Sequence, residues 1–179
     1  MVDYTIIKKP EVLETFICIG KINNNELMEA LKKDIDDELK KENMNYQTNV
    51  YGKMTKFNAL NNNKNFHEFC SLAQNIFLAA TNNKGYICRD AWGNIYEKDD
   101  FAHEHDHRDC SAFSGVLYLG DYGPGTYFPK YDMTVKDEPG KFALFHPYVK
   151  HSVAKFNYGK KKRYTIAFNF DDYKKWDNV

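Results

Sequence analysis

The sequence predicts an α+β fold, with two helices packed on one face of an antiparallel β-sandwich or barrel. Apolar residues recur at helical spacing in two stretches before Ala80, and after Gly85 the period becomes that of short strands. Turns rich in Gly and Pro then separate several of those strands. Aromatic residues make up 16% of the chain and cluster in the strand-like part, where large side chains suit a pleated, half-buried surface.

Val12 to Ile19 is a short apolar and β-branched run that reads as the first strand. A helix is expected from Asn24 to Glu42. Asn24 or Asn25 caps it, Glu26 lies in its first turn, and Leu27, Met28, Leu31, Ile35 and Leu39 form its apolar stripe. An Asn-rich linker containing Gly52 reads as loop with one extended piece. A second helix runs from about Asn65 to Ala80, marked by Phe66, Phe69, Cys70, Ala73, Ile76, Phe77 and Ala80. The strands expected next are Tyr86 to Tyr96, Phe113 to Leu119, Thr126 to Phe128, Lys141 to Phe145, Ser152 to Phe156 and Arg163 to Phe170. Asp121 to Gly125, Glu138-Pro139-Gly140 and Asn157-Tyr158-Gly159 supply turns between them.

A length of 179 residues suits one domain, with helical support over about 22–82 and a β core over about 86–170. Lys and Arg total 25, as do Asp and Glu, so the chain has no net charge to argue for a nucleic-acid or membrane partner. Lys160, Lys161 and Lys162 read as a solvated turn. Cys18, Cys70, Cys88 and Cys110 show no CxxC spacing, and no segment is long and apolar enough for a signal region or a membrane span. Free thiols in a reducing cytoplasm are the simplest setting. No Ser-His-Asp order, P-loop or dinucleotide fingerprint is present.

Five of the six histidines fall between His103 and His151. His103, His105 and His107 alternate, so an extended segment would point all three the same way, with Asp109 continuing that face. His151 would supply a ligand from a distant strand. Two histidines and a carboxylate on one face of an ion form the facial triad of non-haem Fe(II) oxygenases and leave the opposite face open. A solvated loop is the plainer reading of such alternation. His67 and His146 read as packing or surface residues. In the last strand Tyr164, Ile166, Phe168 and Phe170 share one face, and Arg163, Thr165, Ala167 and Asn169 share the other. A polar face on so aromatic a strand suits a cavity wall, where Arg163 could clamp a dicarboxylate and Thr165 add a hydrogen bond. The alternative leaves Arg163 in the basic turn, facing water.

From about Trp92 to Phe170 the chain resembles the Fe(II)/2-oxoglutarate oxygenases, most closely the small ones common in marine phages and bacteria, with a secondary likeness to prolyl 4-hydroxylases. The stretches that carry the likeness are Ala91 to Phe101, His105-Asp106-His107, Phe113 to Leu119, Gly125 to Pro129, Gly140 to Phe145 through His151-Ser152-Val153, and Arg163 to Asn169. Gly125-Thr126-Tyr127-Phe128-Pro129 is similar to the Gly-Glu-Thr-x-Phe-Pro turn of prolyl hydroxylases, without the Glu. The resemblance implies a double-stranded β-helix (jelly-roll, cupin-like) with the helices on one face. It also implies Fe(II), 2-oxoglutarate and O2 as cofactor and cosubstrates, with ascorbate a candidate supporting reductant, and hydroxylation of a peptide residue or small metabolite with release of succinate and CO2.

By the same resemblance His151 is the distal metal ligand and Arg163 holds the far carboxylate of 2-oxoglutarate, while Thr165, Tyr118, Tyr96 and Thr126 are candidates to line that pocket. Two registers fit the first ligand pair. His107 with Asp109 is the usual His-x-Asp element and is favoured by carboxylate chemistry; His105 with His107 is the phage-type element. The gap from His107 to Ser114 is one residue longer than the family pattern, which leaves both open. A cupin-type metal enzyme that ignores 2-oxoglutarate, or a non-catalytic ligand-binding β-helix, are the competing readings.

Overall fold

A computed structural model describes residues 3–9, 15–41, 48–80, 85–108 and 112–172. Two antiparallel sheets face each other. The larger joins, from edge to edge, β1 (Asp3–Lys9), β2 (Thr15–Lys21), β10 (Lys141–Phe145), β7 (Phe113–Tyr118), β12 (Arg163–Asp172), β5 (Tyr86–Tyr96) and β4 (Lys53–Met54). The smaller joins β3 (Val50–Tyr51), β6 (Phe101–His105), β11 (His151–Val153), β8 (Thr126–Phe128) and β9 (Met133–Val135). From β5 onward the chain passes back and forth between the sheets, with β8 and β9 an antiparallel pair inside the smaller one, which is the winding of a jelly roll.

Helix α1 (Asn25–Lys41) starts where the Asn24 side chain accepts the Leu27 N–H at 3.0 Å. Helix α2 (Lys64–Ala80) is capped by Asn63, which accepts the Phe66 N–H at 2.9 Å. The Asn63 and Asn65 side-chain amides also donate to Asp34 at 2.9 and 2.7 Å and tie the start of α2 to α1. Both apolar stripes bury as expected: Leu31, Ile35, Phe66 and Phe69 are wholly inaccessible, packed with Leu117, Phe142, Leu144, Ile166 and Phe168 of the larger sheet. Each such side chain contributes about 1.5–3 kcal/mol relative to exposure.

That face of the larger sheet belongs to the helices, so its other face looks towards the smaller sheet. Tyr164 turns to the helices and donates to Asp36 at 3.1 Å. Arg163, Thr165 and Ala167 turn the other way, as the alternation along β12 predicts.

Some boundaries differ from the expectations. The first expected strand is β2, shifted to Thr15–Lys21, and Val12 to Glu14 lie outside the described residues. The expected Ser152 to Phe156 strand ends at Val153. The linker's extended piece is two short strands, β3 and β4, one in each sheet. β1, β6 and β9 were not anticipated; β9 has only three residues, and β6 hides its pattern in a bulge.

Candidate metal centre and adjoining cavity

Strand β6 decides which histidines face inward. It pairs with β11 through His105↔His151 and Ala102↔Val153, so three steps on β6 match two on β11. The extra residue is a β-bulge, which bends a strand and re-aims the side chain beyond it. Two consecutive residues, His103 and Glu104, therefore face solvent, while Ala102 and His105 both face the cavity. The expectation that His103, His105 and His107 share a face is thus corrected. His103 instead packs edge-on against Tyr51 and Phe101 on the outside, with ring centroids 5.2 and 4.9 Å away.

His105, His107 and His151 converge, each offering a nitrogen within 4.8 Å of the others. Three different constraints place them. His151 is buried on β11 against Phe145, with ring centroids 4.6 Å apart. His105 sits opposite it, at 4.3 Å between centroids. His107, beyond the end of β6, is anchored by its backbone N–H, which donates to the Pro147 carbonyl at 2.8 Å. The His105 Nδ1 lies 2.7 Å from the His103 carbonyl and the His151 Nδ1 3.2 Å from the Val149 carbonyl. A carbonyl only accepts, so both Nδ1 atoms carry the proton and both Nε2 atoms keep a lone pair.

Burial lowers the pKa of all three rings, and mutual repulsion lowers those of His107 and His151 further; His107 falls to about 4. Neutral imidazoles with free lone pairs are what a borderline metal ion takes. Asp106, between two of them, is turned away to a two-point pair with Arg108 at 3.1 Å. Asp109 lies outside the described residues.

The same cavity runs from these histidines past Trp92, Asn94, Tyr96, Thr126 and Thr165 to Arg163. Arg163 is 3% exposed, which removes it from the solvated turn; Lys160, Lys161 and Lys162 remain there, exposed. Its guanidinium lies over the Tyr96 ring at 4.8 Å and the Tyr118 ring at 5.7 Å. Its Nε donates to both oxygens of Asp137 at 3.0 and 3.1 Å. Burial works against the charge, but Asp137 and the tyrosines outweigh it and raise the pKa of Arg163. Burial likewise raises those of Tyr96, Tyr118 and Tyr158 despite the nearby cation, so all three stay hydroxyl donors.

Several buried polar atoms here lack a well-formed hydrogen bond: Tyr158 Oη, Trp92 Nε1 and Asn94 Oδ1. Native interiors rarely leave such groups unpaired, at a cost of about 1–3 kcal/mol each. Their clustering marks a place for a polar ligand.

Of the residues expected from sequence, Arg163, Thr165, Thr126 and Tyr96 line this cavity with His105, His107 and His151. Tyr118 stands beside Arg163. Sequence reasoning missed Asp137, Asn94 and Tyr158. Asn94 carried a usable signal, since it shares a strand face with Trp92 and Tyr96. Asp137 carried none, because an acid between Lys136 and Glu138 reads as solvated.

No family model matches the chain, and no curated protein matches it in sequence. Solved structures do match in shape. The viral collagen prolyl hydroxylase of Paramecium bursaria Chlorella virus-1, solved with 2-oxoglutarate, superimposes with a TM-score of 0.65 over 93% of this chain and 94% of its own, at 14% identity. The fold is that of the Fe(II)/2-oxoglutarate oxygenases. A prolyl 4-hydroxylase from Pseudomonas putida gives 0.61 over 94% and 92%, at 15% identity. The α-ketoglutarate-dependent epimerase SnoN from nogalamycin biosynthesis gives 0.65 over 94% and 77%, at 13% identity. The double-stranded β-helix expected from the sequence is therefore the architecture present. That it matches a hydroxylase and an epimerase equally well shows that this fold does not fix the reaction.

Proposed function

We propose that this protein is an Fe(II)- and 2-oxoglutarate-dependent oxygenase whose metal is held by His105, His107 and His151. One observation carries the reading. A single cavity in this fold joins three converging neutral imidazoles to a buried arginine, with buried polar atoms of Trp92, Asn94 and Tyr158 left without a well-formed hydrogen bond. Imidazole nitrogens suit Fe(II), and Arg163 with the Tyr96 and Tyr118 hydroxyls and Thr165 suits a carboxylate. When bound, iron, 2-oxoglutarate and O2 supply the oxidising power and release succinate and CO2.

The chain's own contribution is geometric and electrostatic. His105 and His151 are held in one tautomer by backbone carbonyls. Phe145 and Phe128 wall off His151 from water. Thr126 and Thr165 offer hydroxyls along the cavity. The substrate proposed is a prolyl or other peptide residue, supported by the Gly-Thr-x-Phe-Pro turn, and the outcome proposed is hydroxylation in a reducing cytoplasm.

A cupin-type enzyme that ignores 2-oxoglutarate is the second reading. It is favoured by the all-histidine cluster and by Arg163 being matched already by Asp137. Calorimetry and succinate assays separate the two. The oxygenase reading expects one Mn(II) per chain, 2-oxoglutarate binding only after the metal, and succinate formed with Fe(II) and O2. Metal binding with neither 2-oxoglutarate binding nor succinate would overturn the oxygenase reading in favour of one that does not use 2-oxoglutarate.

A further inference from the structure

We propose that Asp137 is a positioning residue that holds Arg163 along its Nε–Nη2 edge and so presents the Nη1 side to the far carboxylate of the keto acid. The inference rests on the oxygenase reading. Both side chains of the pair are 2% exposed, so neither charge is relaxed by water. The two Asp137 oxygens share the Nε–H at 3.0 and 3.1 Å, and Oδ2 also accepts the Gly125 N–H at 3.1 Å. The acid is thereby fixed to the backbone before β8 and to the first residue of β12 at once. Nη2 lies 3.0 Å from Asp137 Oδ1. With Tyr96 and Tyr118 against the guanidinium and Asp137 spanning the Nε–Nη2 edge, the Nη1 side is the part of the group left for a ligand.

The loop before β8 is shaped around this pair. Gly125 adopts φ +81°, a left-handed conformation open to glycine, and so aims its N–H at the acid. A Cβ on Gly123 would fall 2.1 Å from Asp137 Oδ2 and 2.8 Å from Arg163 Cδ, so only glycine lets the loop close over the pair. A buried, unmatched guanidinium would be costly whenever the cavity is unliganded, and its long stem would be free to swing. Asp137 removes both problems, and the arriving carboxylate meets fixed N–H and O–H donors around a pair of zero net charge.

The test compares 2-oxoglutarate with 2-oxobutyrate, which lacks the far carboxylate, by calorimetry on the Mn(II)-loaded protein. The wild type should prefer 2-oxoglutarate by about 30-fold or more, the scale of a buried charge-assisted pair. Asp137→Asn keeps the shape but loosens Arg163. It should reduce that preference to about fivefold or less while 2-oxobutyrate and Mn(II) affinities stay within about twofold. Asp137→Glu should restore part of the preference. An Asp137→Asn protein that keeps the full preference overturns the inference. So does a folded one that loses both keto acids and Mn(II) together, because Asp137 then does not act through the far carboxylate. If Asp137→Asn does not fold, Gly123→Ala displaces the same carboxylate without removing its charge. It must lower the preference too, and an unchanged preference refutes the inference. A wild type that shows no preference removes the oxygenase reading along with it.

Discussion

At one end of the cavity, His105, His107 and His151 are joined by no carboxylate among the described residues, and burial keeps their rings neutral. At the other end, Arg163 keeps its charge despite deeper burial because Asp137 matches it. The first end gains a charge only when an ion arrives; the second has one built in and already balanced. Burial alone therefore does not set the electrostatics of a site. A group that can shed its proton becomes neutral, and one that cannot must be given a counter-charge.

The sharpest way to break this contrast is to remove the charge at the arginine end. Arg163→Met keeps the apolar stem and leaves Asp137 buried and unpaired, and should destabilise the fold by about 3–5 kcal/mol. Adding Asp137→Leu should recover most of that loss, and chemical denaturation of the two variants measures both. Mn(II) affinity in the folded single variant should be unchanged, since the charge lost lies at the far end.

At the histidine end, His151→Ala and His107→Ala should each weaken Mn(II) binding by about 100-fold or more, the share of one ligand in a multi-ligand site. His105→Ala should match them, and Asp109→Ala should stay within a few-fold. Titration of the four variants decides the register: a severe Asp109→Ala with a mild His105→Ala would restore the His107–Asp109 pair.

The smallest effect is on pH. The three histidines have pKa values lowered on folding, so the unfolded chain takes up protons first, below its ordinary value near 6.5. Stability of the metal-free protein should therefore be full above that pH and fall as pH drops towards 4, the level to which His107 is lowered. His151→Leu should flatten the slope between pH 6.5 and 4 in thermal melts, and an unaltered slope would mean other groups carry it.

What could be read from the sequence tracks how local the determining interaction is. Both helices were legible because their apolar stripes and Asn caps lie within a few residues of each other. The two-faced character of β12 was legible for the same reason, through strict alternation from Arg163 to Phe170. The inward set of histidines was legible only as one of two registers. It depends on one extra residue in β6, visible only when paired with β11. Asp137 was hidden because its partner is 26 positions away and its own neighbours, Lys136 and Glu138, are charged.

The bulge in β6 also bears on how such a chain can change over time. In a regular strand, moving a histidine from one face to the other reverses every residue after it. Here the extra residue absorbs that reversal within Ala102 to His105, and two adjacent positions, His103 and Glu104, are left on the outside. The outward surface, with Tyr51 stacked on Phe101 and His103 edge-on to both, can therefore drift in composition without touching the inward chemistry. Away from the inward histidines themselves, insertions and deletions of single residues, more than substitutions, are the changes to which this corner of the molecule is sensitive.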